Sequence, residues 1–196
     1  MRIRTRKIEY LGVIISKGHA EMDPAKVAGI IDWPEPKTVK EVQAFLGFCN
    51  FYHRFIKDFF HLTQPLFALT RKDTIFNWSD KPKKAFEEIK WIFTSTPVLA
   101  IPDTEKPMRV ECDSSDFATR AVLAQLEDDN LWHPVAYLSK SLAEAKRNYD
   151  IHDKELLGVI RALDAWRHYL EGCTHKIEIW TDHRNLEYFQ KAQNLS

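Results

Sequence analysis

Residues 108–126 read MRVECDSSDFATRAVLAQL, and their pattern decides the fold. Val110 and Cys112 alternate with Arg109, Glu111 and Asp113, the period of a strand with one face buried. The short polar run Asp113–Ser114–Ser115–Asp116 then ends the alternation, and TRAVLAQL (119–126) begins a second strand. HPVAYLS (133–139) reads as a third strand, residues 149–170 as a long helix, and KIEIWTD (176–182) as a fourth strand. RNLEYFQKA (184–192) opens a further helix. The order strand, strand, strand, helix, strand, helix predicts a meander followed by a crossover. That gives a mixed sheet with helices against it, an α+β architecture.

Towards the N-terminus the rhythm changes. TPVLAIPDTEKP (96–107) holds three prolines and reads as a linker, so a domain boundary is placed there. Before it, Ser79 or Asp80 starts an amphipathic helix with Phe86, Ile89, Ile92 and Phe93 on one face. EVQAFLGFCNFYHRFI and LTQPLFALTRK predict two or three short packed helices, entered through Thr38–Val39–Lys40–Glu41, a capping box. Their dense aromatics read as core, with base stacking by an exposed Tyr52 as the lesser alternative. Asp23 and Pro24 mark the start of a short helix ending near Trp33, where WPEP stops it. KIEYLGVIISKGHAEMD (7–23) reads as a hairpin turning at Lys17–Gly18.

Lys plus Arg and Asp plus Glu each total 28, so the formal net charge is zero. A nucleic-acid binder of this composition must rely on local patches such as Arg2–Arg4–Arg6–Lys7 or Lys81–Lys83–Lys84. The apolar fraction of 44%, with twelve phenylalanines, is enough for a core. Cys49, Cys112 and Cys173 are odd in number and widely spaced, which indicates neither a disulfide framework nor a zinc ribbon. An intracellular setting is expected from this. No apolar run approaches the ~20 residues of a membrane helix, so no membrane partner is expected. The basic start MRIRTRK leads into a strand-like segment unlike a signal peptide.

Three carboxylates stand out by position. Asp113 ends the first strand, Asp182 ends the strand after the long helix, and Glu155 lies in that helix's first turns. Glu155 falls on the edge of a stripe formed by Leu156, Val159, Ile160, Leu163, Trp166 and Leu170. If the first and fourth strands are neighbours, the three meet, and hard carboxylate oxygens suit magnesium and a phosphate substrate. The alternatives for each residue alone are ordinary: Glu155 paired with Lys154 or Arg147, Asp182 as a helix cap, Asp113 closing a turn. A transition-metal site using His152 and His183 is a weaker reading, since no H-E-x-x-H spacing is present.

The motifs YLGVIIS (10–16), IIDWPEPKTVKEVQAFLGFCNFYHRFIKDF (30–59), FNWSDKPKKAFEEIK (76–90) and TPVLAIPD (96–103) occur in that order. VECDSSDFATRAVL (110–123), HPVAYLSKSL (133–142), KELLGVIRALDAWRHYL (154–170) and IEIWTDHRNLEYF (177–189) follow them. Together they resemble the Gypsy-type (Metaviridae) LTR retrotransposon Pol polyprotein where reverse transcriptase joins ribonuclease H. The resemblance implies a palm end with a primer-grip hairpin over 1–35, a helical thumb over 36–95 and a ribonuclease H-like domain over 96–196. Asp113, Glu155 and Asp182 match the family's first three catalytic carboxylates, which would bind magnesium, with manganese as the alternative. The implied activity is hydrolysis of the RNA strand of RNA–DNA hybrids, within an RNA-directed DNA polymerase. Tyr10, Leu11 and Gly12 match the motif that contacts the primer. Implied partners are the hybrid, the template–primer duplex and the rest of the polyprotein, with a dimer left open. The implied location is a cytoplasmic virus-like particle or the nucleus.

Three departures carry expectations. The polymerase's Y-x-D-D aspartates have no match here, so polymerisation by this chain alone is not expected. The family's fourth carboxylate lies beyond Ser196, which leaves the ribonuclease H-like domain C-terminally incomplete. Arg120 stands where the family usually has glycine, either as a tolerated change or as a phosphate contact. The competing reading is a non-catalytic retroelement remnant that binds nucleic acid or protein.

Overall fold

The computed structural model describes residues 7–95 and 98–181. The chain divides into two compact units, Met1–Ile101 and Pro102–Ser196.

The first unit begins with β1 (Lys7–Tyr10), β2 (Val13–Ser16) and β3 (His19–Met22). They form an antiparallel meander rather than a single hairpin, with tight turns at Leu11–Gly12 and Lys17–Gly18. A fourth strand, β4 (Leu99–Ala100), pairs antiparallel with β3 and lies inside the stretch expected to be a linker. Its two residues are apolar and buried. Pro102, which has no N–H to offer a ladder, follows shortly after.

Between β3 and β4 come α1 (Pro24–Ile31), α2 (Val39–Phe51), a 3₁₀ turn at His53–Phe55, α3 (Phe59–Leu69) and α4 (Asp80–Thr94). The starts of α1 and α2 carry the capping bonds that their sequences signal. The Asp23 carboxylate accepts from Ala25 N–H at 2.9 Å, and Thr38 Oγ1 accepts from Glu41 N–H at 3.3 Å. The Glu41 carboxylate, however, accepts from Lys37 N–H at 2.7 Å, one residue before the cap. That bond is the main reason its carboxyl titrates below the usual range. The aromatics form the core as expected. Phe45 packs at a tilt against Phe86 with centroids 4.6 Å apart, and Trp33 meets Phe45 edge-on at 5.7 Å. Phe51 and Phe67 are exceptions and lie exposed.

The second unit holds β5 (Met108–Ser114), β6 (Ala118–Leu126), β7 (Trp132–Ser141) and β8 (Glu178–Thr181). The sheet order is β7-β6-β5-β8. The first three strands are antiparallel, and β8 joins β5 in parallel, pairing Arg109 with Glu178 and Cys112 with Thr181. This is the predicted meander with a crossover. The crossover runs through α5 (Glu144–Arg147), α6 (Ile151–Ala165) and α7 (Arg167–Leu170). The single helix expected over 149–170 is interrupted at Trp166 (φ −107°, ψ 12°), whose side chain is buried.

Strand β5 alternates as read from the sequence, with Met108, Val110, Cys112 and Ser114 buried, and Glu111 and Asp113 exposed. On the exposed face the Arg109 guanidinium lies between Trp132 and Trp180, 3.9 and 3.8 Å from their ring centroids, and pairs with Glu178 at 3.0 Å. Helix α6 covers the buried face closely because Gly158 has no side chain. A Cβ there would stand 3.1 Å from Ser114 Oγ and 3.7 Å from Thr119 Cβ. A branched side chain has no room, so Gly158→Val is expected to destabilise the second unit by about 2 kcal/mol. Urea unfolding measures this, and unchanged stability would show that α6 can lift off the sheet at no cost.

Candidate active site

Asp113 lies on the exposed face of β5, one residue before the strand's end. Its register partner on β6 is Arg120, and the guanidinium Nη2 donates to the Asp113 carboxylate. The pair is partly exposed, 34% and 53% for the two side chains, so it contributes no more than about 1 kcal/mol.

Glu155 is 1% exposed and sits within the buried face of α6, together with Gly158, Val159 and Ala162. The expected stripe is rotated: Ile160 points to solvent, and small residues meet the sheet where larger ones were expected. A carboxylate in that position is costly unless its oxygens are satisfied. Both are. One accepts from Ser114 N–H at 2.9 Å, and the other accepts from Thr181 Oγ1 at 2.8 Å. Ser114 Oγ donates in turn to the Lys154 carbonyl at 3.0 Å, stitching the first turn of α6 to the end of β5.

The partners suggested for Glu155 are engaged elsewhere. Lys154 is buried along its stem, and its ammonium reaches Asp116 at 2.8 Å, holding that carboxyl below its usual range. Arg147 Nε donates to the Leu142 carbonyl. Arg161, about two turns beyond Lys154 on α6, donates to Thr119 Oγ1 at 2.9 Å and fixes the helix to β6. The Cys112 thiol is pushed up to about 12, first by burial and then by the charge of Glu155, which keeps it a neutral thiol rather than a thiolate ligand.

Asp182 and His183 lie outside the described residues. Thr181, which precedes Asp182 in the chain, is described and bound to Glu155. The Glu155 carboxylate therefore joins the ends of β5 and β8, at residues adjoining Asp113 and Asp182 in sequence. Among the described residues no three His, Cys, Asp or Glu side chains gather as a metal-binding group. The donor chemistry of Asp113 and Glu155, oxygen only, fits a hard divalent cation. An ion at Asp113 would have to displace the Arg120 guanidinium.

Ser114 and Thr181 were missed as site residues. Strand parity could have found Ser114, which adjoins a predicted ligand and faces the opposite side of β5. The Asp113–Arg120 pair was legible from counting back across the turn between β5 and β6.

The second predicted site, Tyr10–Leu11–Gly12, is a two-residue turn with Leu11 at φ 49° and Gly12 at φ 77°. Glycine takes this conformation freely, whereas leucine is strained by roughly 1–2 kcal/mol. Tyr10 and Leu11 are exposed, and Gly12 is buried beneath them. Tyr52 is no stacking platform: it is buried, and its hydroxyl donates to the Gly12 carbonyl at 3.3 Å.

Residues 78–179 match the family described as the RNase H-like domain found in reverse transcriptase. The Transposon Tf2-3 and Tf2-4 polyproteins of Schizosaccharomyces pombe are each 38% identical over 180 residues, 92% of this chain. The chain spans 14% of the length of these curated relatives. Among solved structures, the foamy viral protease-reverse transcriptase in complex with RNA/DNA hybrid is similar with a TM-score of 0.77 at 22% identity, over 96% of this chain and 25% of that one. The foamy viral protease-reverse transcriptase dRH in complex with ds DNA gives 0.78 at 22% identity, over 94% and 32%. At this identity the likeness concerns the fold.

Proposed function

We propose, since this chain belongs to the family of RNase H-like domains found in reverse transcriptase, that its second unit hydrolyses the RNA strand of an RNA–DNA hybrid. On the same reading its first unit holds the template–primer duplex. One observation carries the nuclease reading. A carboxylate buried on the sheet-facing side of a helix is spent joining the ends of two parallel strands, β5 and β8. A structural role alone would be met more cheaply by an apolar residue.

Asp113, Glu155 and Asp182 would hold the divalent ion, magnesium or manganese. Bound there, it would neutralise phosphate charge and lower the pKa of a coordinated water. The chain's own residues do the positioning. Ser114 N–H and Thr181 Oγ1 fix the orientation of the Glu155 carboxylate, and the Ser114–Lys154 bond keeps α6 from sliding along the sheet. Asp113, exposed on its strand, is open to a substrate strand approaching the sheet's end. Tyr10, Leu11 and Gly12 form the duplex-contacting turn of the first unit.

A labelled RNA–DNA hybrid incubated with the protein is expected to be cut in magnesium and left intact in a chelator. Cleavage in the chelator would overturn the metal-dependent site. A second reading, a module that binds hybrid without cutting it, is favoured by the guanidinium already seated on Asp113. Binding that weakens with salt, with no cleavage in magnesium or manganese, would select it.

A further inference from the structure

The Gly12 carbonyl accepts two hydrogen bonds, from Asp23 N–H at 3.0 Å and from the Tyr52 hydroxyl at 3.3 Å. These tie the turn to the start of α1 and to the end of α2. Tyr52 is 3% exposed, its ring edge-on to Phe51 and Phe93, so its hydroxyl is held in one place. Burial, with the Asp23 charge second, holds that hydroxyl above the ordinary tyrosine range, so it stays a donor. A Cβ on Gly12 would overlap the Tyr52 hydroxyl, which makes glycine a requirement of fit as well as of backbone angle.

What the clamp presents is unusual. Tyr10 and Leu11 are 63% and 68% exposed, and Leu11 adopts a left-handed backbone that an L side chain disfavours. Such strain in an exposed apolar residue has no packing return within the unit. The Lys26 side chain passes the same turn, its Cγ 3.4 Å from where a Gly12 Cβ would stand, and Lys26 is exposed. An aromatic ring and a leucine on one rigid turn, with a cation from α1 beside them, suit the sugar edges and phosphates of a nucleic-acid backbone.

We infer that Tyr52 is a positioning residue: through the Gly12 carbonyl it holds the Tyr10–Leu11 tip, with Lys26 beside it, against the backbone of a nucleic-acid duplex. This rests on the reading above that the first unit holds the duplex.

The test measures binding of the whole chain to a short labelled duplex at fixed salt, alongside melting temperature. Tyr52→Phe keeps the buried ring but drops the bond that holds the turn, and is expected to weaken binding about fivefold while lowering the melting temperature by a few degrees. Leu11→Asn relieves the backbone strain and is expected to raise the melting temperature while weakening binding, a split that no purely structural role produces. In a background carrying both Tyr10→Ala and Leu11→Ala, which removes the tip, Tyr52→Phe is expected to have little further effect on binding. Additive losses, or unchanged binding by Tyr52→Phe while Leu11→Ala weakens it, overturn the inference and leave the duplex reading standing. Unchanged binding by both Tyr10→Ala and Leu11→Ala overturns the duplex contact itself, and the inference with it.

Discussion

Glu155→Ala is expected to lower the stability of the second unit by about 3 kcal/mol, and Glu155→Gln by less than about 1 kcal/mol. Alanine removes both acceptors, strands the Ser114 amide and the Thr181 hydroxyl at the end of the sheet, and leaves a cavity beneath α6. Glutamine keeps an oxygen for the Ser114 amide, and its NH₂ can donate to Thr181 Oγ1, so the stitch survives. Both variants are expected to lose about two orders of magnitude in hybrid cleavage, because neither presents a carboxylate to the ion. Urea unfolding followed by amide exchange of the second unit's strands, set beside the hybrid assay, separates the two effects. Wild-type stability in the alanine variant would mean that the buried carboxylate holds nothing. Wild-type cleavage in the glutamine variant would remove Glu155 from the site.

Asp113→Asn is expected to abolish cleavage while moving stability by less than about 1 kcal/mol, because its one strong partner is a partly exposed guanidinium. The same ion pair allows a second arm that needs no catalysis. Arg120→Met keeps the length of the side chain and removes its charge, which frees Asp113 from competition. Manganese binding, followed by the loss of the free ion's spin-resonance signal, is expected to tighten about fivefold, the equivalent of an exposed ion pair of about 1 kcal/mol. Equal manganese affinity in wild type and Arg120→Met would show that the guanidinium yields to the ion without cost. Full cleavage by Asp113→Asn would remove Asp113 from the site.

Strand parity was the most legible signal. It placed Asp113 on the exposed side and supported the meander with a parallel return strand, because a sheet with one buried face specifies its register strongly. The resemblance to retrotransposon polyproteins is matched by relatives covering 92% of the chain. Helical periodicity did less well. Glu155 reads as the edge of a stripe because polarity counts against burial, whereas the structure buries it by supplying two donors that no periodicity displays. Ile160 reads as core and is exposed, since Gly158 and Ala162 turn the helix's narrow side to the sheet. Tyr52 offered no sequence sign of its role: its partner is a backbone carbonyl 40 residues away. The linker reading of 96–107 failed at Leu99–Ala100, because prolines mark extended chain without saying whether that chain finds a neighbour.

That last pairing also sets an order of events during synthesis. Ala20 and Leu99 stand opposite one another across 79 residues of chain, all four helices of the first unit lying between them. The helices are local and can form as they emerge, but the sheet waits for its final strand. Until Leu99 and Ala100 leave the ribosome, β3 offers an open edge to any neighbouring chain. A helical segment excised at residue 95 would carry that open edge permanently, whereas one carried on through Ile101 would cover its first half, at His19 and Ala20.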